Sequence, residues 1–167
     1  LLNGAGKRAV NMIPSVLKGH AEAGPGAYFR MDEAAARAKI AEARKELARA
    51  GLLVNGEIPE LRLEVGDTGP RTVTQTDFVR QQFAKVGVKV RPVFNDWPTL
   101  LRKMLSKEAQ MFFMGWHADY PDAENFLQLF YSPNIRRGTN DFNYKNERFD
   151  ALYEQAGVLL EEDRRVP

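Results

Sequence analysis

The side chains best suited to holding a charged ligand stand together in one short run, Trp-His-Ala-Asp-Tyr-Pro-Asp, at positions 116–122. Aromatic, imidazole and carboxylate groups converge nowhere else in the sequence. An aromatic face beside a carboxylate suits a ligand with an amino group, because the ring makes a cation–π contact and the carboxylate accepts a charge-assisted hydrogen bond. The run also follows an apolar stretch at 111–116, and open α/β sheets bind ligands beyond the carboxyl ends of their strands.

The residues of this run also have structural interpretations that stay open at this point. Asp119 and Asp122 suit the capping of a helix that begins near Pro121, which is a routine task for Asp. Trp116 is of a type that often packs in a core. His117 fits a loop position with a hydrogen bond to backbone, since His20 is the only other histidine that could join it at a metal.

Enzymatic chemistry is the alternative from a different functional class. A small hydrolase would have to use His117, Asp119 and Asp122, but paired catalytic carboxylates face each other across a cleft, and these lie on a single turn. The sequence has no Gly-x-Ser-x-Gly elbow, and its glycine pairs near the N-terminus do not follow a predicted strand. We therefore expect no catalytic residue, no metal site and no cofactor.

Composition narrows the class of partner. The 167 residues carry 24 Lys and Arg against 22 Asp and Glu, for a formal charge of +2, and no basic block is present to neutralise a phosphate backbone. Nucleic acid is therefore not an expected partner. The chain has no cysteine, which excludes disulfides and thiolate metal sites, and no apolar stretch approaches the roughly 18 residues of a membrane span.

Apolar periodicity predicts alternating helices and strands ahead of the candidate site. The first predicted elements are a helix from the cap Asp32 to Gly51, a strand over 61–65, and a helix from about Thr74 to Gly87 with Asp77 in an approximate capping box. A strand over 88–94 follows, and Pro92 places its end at a sheet edge or terminus. Next come a helix capped by Asp96, which packs Leu100, Leu101, Met104 and Leu105, and a strand over 111–116. The last strand shows no alternation, so we expect it to be central and buried on both faces.

The order of elements predicts an α/β fold with a three-layer, mixed or parallel sheet and flanking helices. Residues 1–30 are rich in Gly and Pro and predict an irregular lead-in. After the candidate site we expect a short helix over 122–130, an irregular segment over 131–144, and a last helix capped by Asn146. That helix is predicted to bury Phe149, Leu152, Tyr153, Ala156 and Leu160.

Three segments carry a resemblance to a known family. Gly115 to Asp122, with Asn125-Phe126-Leu127, resembles the GW-x-ADYPDP-x-NFL signature of the family 5 bacterial solute-binding proteins, which include oligopeptide- and dipeptide-binding proteins. Residues 83–90 are similar to the family's L-x-x-I-G-I-x-V segment, and residues 143–150 to its Y-x-N-x-x-F-D motif. Ala123 stands where the signature has a proline, and His117 takes a variable position.

The resemblance implies one lobe of a type II periplasmic binding protein fold. Residues 31–167 would be the C-terminal ligand-binding lobe, incomplete at its end, and residues 1–30 would lead in from a missing N-terminal part. In such proteins the ligand is enclosed between two lobes. The implied ligand-binding residues are Trp116, His117, Ala118, Asp119 and Tyr120. Of these, the aspartate receives the α-amino group of a peptide and the tryptophan lines the cleft.

The function implied by the resemblance is the substrate-binding component of an ABC importer, which is not an enzyme. Its partners would be a peptide or other small solute, the transmembrane subunits of the permease, and the missing N-terminal lobe. Its location would be periplasmic, or extracellular with a membrane anchor. The same family also takes opines, sugars, haem and metal chelates, so a non-peptide solute is the alternative ligand.

Overall fold

The computed structural model describes residue 9, residues 11–20 and residues 30–159. These residues form two compact units. The first, which we call the sheet unit, is Arg30–Met114, and the described part of the second, the motif unit, is residue 9 with residues 11–20 and 115–159. Much of the expected lead-in and Leu160 lie outside the described residues. The domain boundary expected at residue 30 stays a prediction.

A three-stranded parallel sheet forms the centre of the sheet unit. Its strands are β1 (Leu61–Val65), β2 (Val90–Phe94) and β3 (Met111–Phe113), in the order β2-β1-β3. All described pairs are parallel, and Val65 lies opposite both Phe94 and Phe113. The α/β prediction is confirmed, with the parallel form of the sheet in the described strands. Pro92 lies on an edge strand, as its missing N–H requires.

Helices cover both faces of this sheet. Helices α1 (Glu33–Arg49) and α2 (Pro70–Lys85) contribute Ile40, Val79 and Phe83 to the core around Leu63 and Val65. Strand alternation points Glu64 to the opposite face. There it meets Lys103 of helix α3 (Trp97–Leu105). The predicted three layers are therefore present.

The helix ends of α1 and α3 follow their predicted caps. The Asp32 carboxylate accepts the backbone N–H of Ala35 at 2.9 Å, and Asp96 accepts that of Thr99 at 2.8 Å. Gly51 adopts a φ of 68° after α1, a conformation that L side chains rarely take. The capping signals predicted for α1 and α3 are confirmed.

The predicted start of α2 is wrong. The helix begins at Pro70, because proline fits the first helical position, where its missing N–H has no intrahelical partner to lose. The carboxylate of Asp67 accepts the N–H of Gly69 at 3.0 Å and the hydroxyl of Thr72, which supports this first turn. Asp77 instead forms an ion pair with Arg80 at 2.8 Å.

The prediction of a doubly buried central strand over 111–116 is also wrong. Strand β3 ends at Phe113, lies at an edge of the sheet, and leaves Phe113 50% exposed, whereas β1 is the central strand. In α3, Leu100 and Met104 are buried but Leu105 is 69% exposed and Leu101 is also exposed. Positions 100 and 104 share one helix face, and 101 and 105 are rotated away from it. Apolar composition indicated burial without indicating which side is covered.

In the motif unit the described helices are α4 (Glu124–Leu127), a 3₁₀ turn (Gln128–Phe130), α5 (Asn134–Arg137) and α6 (Glu147–Gly157). The segment expected to be irregular thus contains α5. Asn146 caps α6 by accepting the N–H of Phe149 at 3.0 Å, as predicted. Leu152, predicted to be buried, is 57% exposed. The helix packs through its aromatic residues instead, with Phe149 edge-on to Phe130 at 6.3 Å.

Substituting Gly66 tests how tightly α3 lies against the end of β1. A Cβ at this position would come within 2.7 Å of Leu100 Cδ2 and 3.1 Å of Trp97 Cε3. Leu100 is completely buried, so its side chain has no free space to retreat into. We expect Gly66→Ala to lower the free energy of unfolding by about 1–3 kcal/mol. Gly157→Ala, where a Cβ meets nothing within 4 Å, is the control in urea unfolding and should cost nothing.

Candidate functional site

Trp116 is fixed in the turn that follows β3. Its indole Nε1 donates to Asn125 Oδ1 at 2.8 Å, and Asn125 is completely buried at the start of the motif unit's helices. The indole is half-buried. A partly buried hydrogen bond of this kind orients the ring, because breaking it would leave the buried Asn125 oxygen without this donor. Trp116 therefore holds the beginning of the candidate site in place.

The two aspartates of the motif have different surroundings. Asp122 accepts the backbone N–H of Glu124 at 2.8 Å and so serves the start of α4, in line with the capping interpretation. Asp119 is exposed, and within the described part of the chain its carboxylate makes no hydrogen bond and no ion pair. Capping therefore accounts for Asp122, whereas no such bond is made by Asp119 among the described residues.

An apolar cleft of about 320 Å³ opens beside Asp119 in the motif unit. Its lining residues are Pro14, Val16, Leu17, Ala118, Asp119, Tyr120, Pro121 and Phe126. Asp119 supplies the one ionisable carboxylate of this lining, and the remaining side chains are apolar or aromatic. Such a site suits a ligand with a positive group and an apolar body, because apolar walls displace water from the ion pair and strengthen it.

Tyr120 is linked to helix α4 through the carboxylate of Glu124, which also binds Tyr153. Its hydroxyl donates to Glu124 Oε2, and the hydroxyl of Tyr153 donates to Glu124 Oε1. The hydrogen bond to Glu124 raises the pKa of Tyr120. The pKa of Tyr153 is raised strongly, first by burial and then by its bond to Glu124. Both phenols therefore stay protonated, and remain donors, at neutral pH.

The predicted site residues are only partly brought together. Ala118, Asp119 and Tyr120 line the cleft side by side, whereas Trp116 makes its bond to Asn125, and His117 is exposed and does not belong to the lining. A ligand role for all five stays a prediction. No group of three or more His, Cys, Asp or Glu residues suited to a metal occurs among the described residues.

Sequence reasoning missed part of the site. Pro14, Val16 and Leu17 line the cleft although they lie about a hundred residues away in sequence, in the predicted lead-in. Their apolar character was visible, but nothing in the pattern linked them to the motif. Glu124 was missed because a single Glu at the start of a helix is already explained by its favourable interaction with the helix dipole.

No described helix has both the length and the apolar character needed to cross a membrane.

Comparison with known proteins places these features in context. Residues 1–137 match the family described as bacterial extracellular solute-binding proteins, family 5 middle. The chain is 26% identical over 163 residues to the di/tripeptide-binding protein 3 of Pseudomonas aeruginosa. This alignment covers 97% of the chain and 29% of that protein. It is 29% identical over 128 residues to heme-binding protein A of Haemophilus influenzae, and this alignment covers 75% of the chain and 23% of that protein.

The fold is also that of a solved structure. With a TM-score of 0.71 and 23% identity, the chain resembles an ABC transporter-associated periplasmic binding protein from Helicobacter pylori, solved in complex with the peptide STSA. The likeness covers 98% of this chain and 30% of that one, and at this identity it shows the fold. The chain spans less than a third of the length of each of these three proteins. The resemblance predicted from the motif is confirmed.

Proposed function

This chain belongs to the family 5 bacterial extracellular solute-binding proteins, and from that membership we propose that it is part of the substrate-binding component of an ABC importer that captures peptides. Residues 31–167 belong to a C-terminal lobe, and the peptide is enclosed between this lobe and a second one. Below, "the full-length protein" means the two-lobed protein that contains this chain. The cleft beside Asp119 forms one wall of its binding site.

The observation that carries the proposal is the carboxylate of Asp119, which has no partner among the described residues and lies at the edge of an apolar cleft. A free peptide N-terminus is an ammonium group, and it donates charge-assisted hydrogen bonds to a carboxylate. Val16, Leu17 and Phe126 supply apolar surface for the adjoining part of the peptide. Ala118 and Tyr120 line the cleft beside Asp119. Trp116 and His117 do not belong to this lining, and we propose them as ligand contacts from the likeness to the family alone.

Binding without covalent chemistry fits this arrangement better than hydrolysis does. A hydrolase would need Asp122 as a second free carboxylate, but Asp122 accepts the N–H of Glu124. The protein is accordingly a binding component and not an enzyme. Its partners are a peptide, the second lobe and the transmembrane subunits of the permease, and it works in the periplasm or at the outer surface with a membrane anchor.

A non-peptide solute is the second candidate, and one relative at 29% identity is named as heme-binding. Opines, sugars and metal chelates belong to the same alternative. Haem carries two carboxylates, which the carboxylate of Asp119 would repel, because like charges at close range disfavour each other. An ammonium-bearing ligand is therefore favoured by the charge of the cleft.

Titration calorimetry on the full-length protein tests the proposal. The ligands are alanine peptides of two to five residues with free N-termini, with haem and glucose as the non-peptide arms. We expect at least one peptide length to bind with a Kd of about 1 μM or tighter, a usual range for a pocket that encloses its ligand. Mass spectrometry of the ligand that co-purifies should find peptide. Binding of haem or glucose with no binding of any peptide would overturn the proposal.

A further inference from the structure

Short helix α4 holds both ends of the turn that carries Asp119. At one end Asn125 accepts the indole N–H of Trp116 at 2.8 Å, and at the other Glu124 accepts the hydroxyl of Tyr120. Asn125 and Glu124 are neighbours in sequence. The carboxylate of Asp119, which lies between these two attachment points, therefore depends on where α4 sits.

Helix α6 supplies a second fixed point, for the carboxylate of Glu124. Tyr153, on α6, donates to the other oxygen of Glu124 across 29 residues of sequence. Its ring stacks on Tyr131 with centroids 4.5 Å apart and on Phe149 at 6.3 Å. These ring contacts fix the phenol, so that Glu124 is held by a donor that has little freedom to move.

We propose that Glu124 and Tyr153 are positioning residues, which set the place of Asp119 for the ligand through Tyr120 without touching the ligand themselves. The inference rests on the proposed function, because it concerns the same cleft. Neither residue belongs to the cleft lining. Glu124 has two carboxylate oxygens and uses one for each tyrosine, so the loss of the Tyr153 hydroxyl leaves Glu124 free to turn about its side-chain bonds and take Tyr120 with it.

The chain offers a matched control for this idea. Tyr131 is the stacking partner of Tyr153, and its hydroxyl donates to Glu154, also on α6, at 2.7 Å. It therefore shares the stack with Tyr153 and the carboxylate partner type, but its bond does not lead to the turn at Asp119. A tyrosine-to-phenylalanine change at either position removes one hydroxyl and keeps the ring.

The test is calorimetry on the full-length protein with trialanine as the probe. We expect Tyr153→Phe to weaken binding about tenfold and Tyr131→Phe to leave it unchanged, since coupling through intermediate residues is typically worth a few-fold to tens of fold. In an Asp119→Ala background, Tyr153→Phe should add less than about twofold, because the group it positions is gone.

Three results would overturn the proposal. They are binding within twofold of wild type in Tyr153→Phe, equal losses in the two phenylalanine variants, and an undiminished loss in the Asp119→Ala background. If Tyr153→Phe does not fold, Glu124→Ala replaces it, since it removes the acceptor of both phenols; wild-type affinity there would equally overturn the idea. A failure of trialanine and every other peptide to bind wild type is a failure of the proposed function instead.

Discussion

Replacing Lys103 by methionine is expected to lower the free energy of unfolding by about 3 kcal/mol, the lower end of the range for breaking a buried ion pair. Glu64 lies on the central strand β1 with 1% of its surface exposed, and Lys103 Nζ lies 2.7 Å from its carboxylate. Removing the ammonium leaves the carboxylate buried without its counter-charge. The loss is held to the lower end because Asn95 Nδ2 still donates to Glu64 at 2.8 Å.

The double variant Glu64→Met with Lys103→Met is the control for this prediction. With both charges gone, an apolar pair of similar volume fills the space, and such replacements are often neutral. We therefore expect urea unfolding of the double variant to recover most of the stability that Lys103→Met loses. If the free energy of unfolding of Lys103→Met alone is within about 0.5 kcal/mol of the wild-type value, the ion pair between Glu64 and Lys103 is as weak as an exposed one.

Acid unfolding is a second test of the ion pair between Glu64 and Lys103. Burial acts to raise the pKa of Glu64, but the hydrogen bonds from Lys103 and Asn95 and the nearby positive charges outweigh it, so that this pKa is lowered from the ordinary 4.5. A carboxyl group with a lowered pKa in the fold stabilises it above the unfolded value, and that contribution is lost as the pH falls through the folded value. We expect the stability of wild type to fall more steeply below pH 4.5 than that of the double variant.

Asp119→Ala should weaken the binding of a free-amino peptide to the full-length protein by about 2–5 kcal/mol, which is roughly 30-fold or more. The ammonium of the peptide would then enter the apolar cleft with no carboxylate to accept its hydrogen bonds. The melting temperature should stay at the wild-type value, because among the described residues Asp119 has no hydrogen bond to lose. Calorimetry and thermal unfolding on the same samples measure the two effects.

Asp122→Ala is the matched control for Asp119→Ala. It removes the carboxylate that accepts the N–H of Glu124, so it should lower stability by about 1 kcal/mol and reduce affinity much less than Asp119→Ala does. If instead the two variants lose the same affinity and Asp119→Ala also lowers the melting temperature, Asp119 has a structural role like that of its neighbour. The ligand contact would then have to be sought elsewhere.

Local signals in the sequence predicted those parts of the fold that depend on neighbouring residues. The caps Asp32, Asp96 and Asn146 satisfy backbone donors within a few positions, so their geometry follows from residue type and spacing alone. Helix α2 is instructive, since a capping-box pattern at Thr74 competed with Pro70 and the proline set the start. The geometric constraint on proline acts regardless of side-chain pairing.

Features that depend on contacts distant in sequence were not predictable. The apolar stretch at 111–116 suggested a central strand, but sheet order is decided by which strands pair, and β1 is central although its sequence alternates. The buried pair of Glu64 and Lys103 is separated by 39 residues and each member reads as a surface charge. Likewise Val16 and Leu17 line the cleft beside the motif although they lie about a hundred residues away in sequence.

The candidate site shows both situations at once. The motif and its likeness to a family singled out Asp119, although helix capping stayed open for both aspartates. The hydrogen bond from the backbone N–H of Glu124 to Asp122 distinguishes the two aspartates. The support for the turn, through Glu124 and Tyr153, joins residues on two helices and has no local sequence signal.

The measurement that tests the central claim most directly is a double-mutant cycle in the full-length protein. It crosses wild type and Asp119→Ala with a free alanine peptide and its N-acetylated form, each titrated by calorimetry. The acetylated peptide lacks the ammonium, so it should bind wild type poorly and lose little more in the variant. We predict a coupling free energy of about 2 kcal/mol, well above the roughly 0.5 kcal/mol of independent groups. Equal losses of affinity for the two peptides would give no coupling and would contradict the claim that Asp119 receives the ligand's amino group.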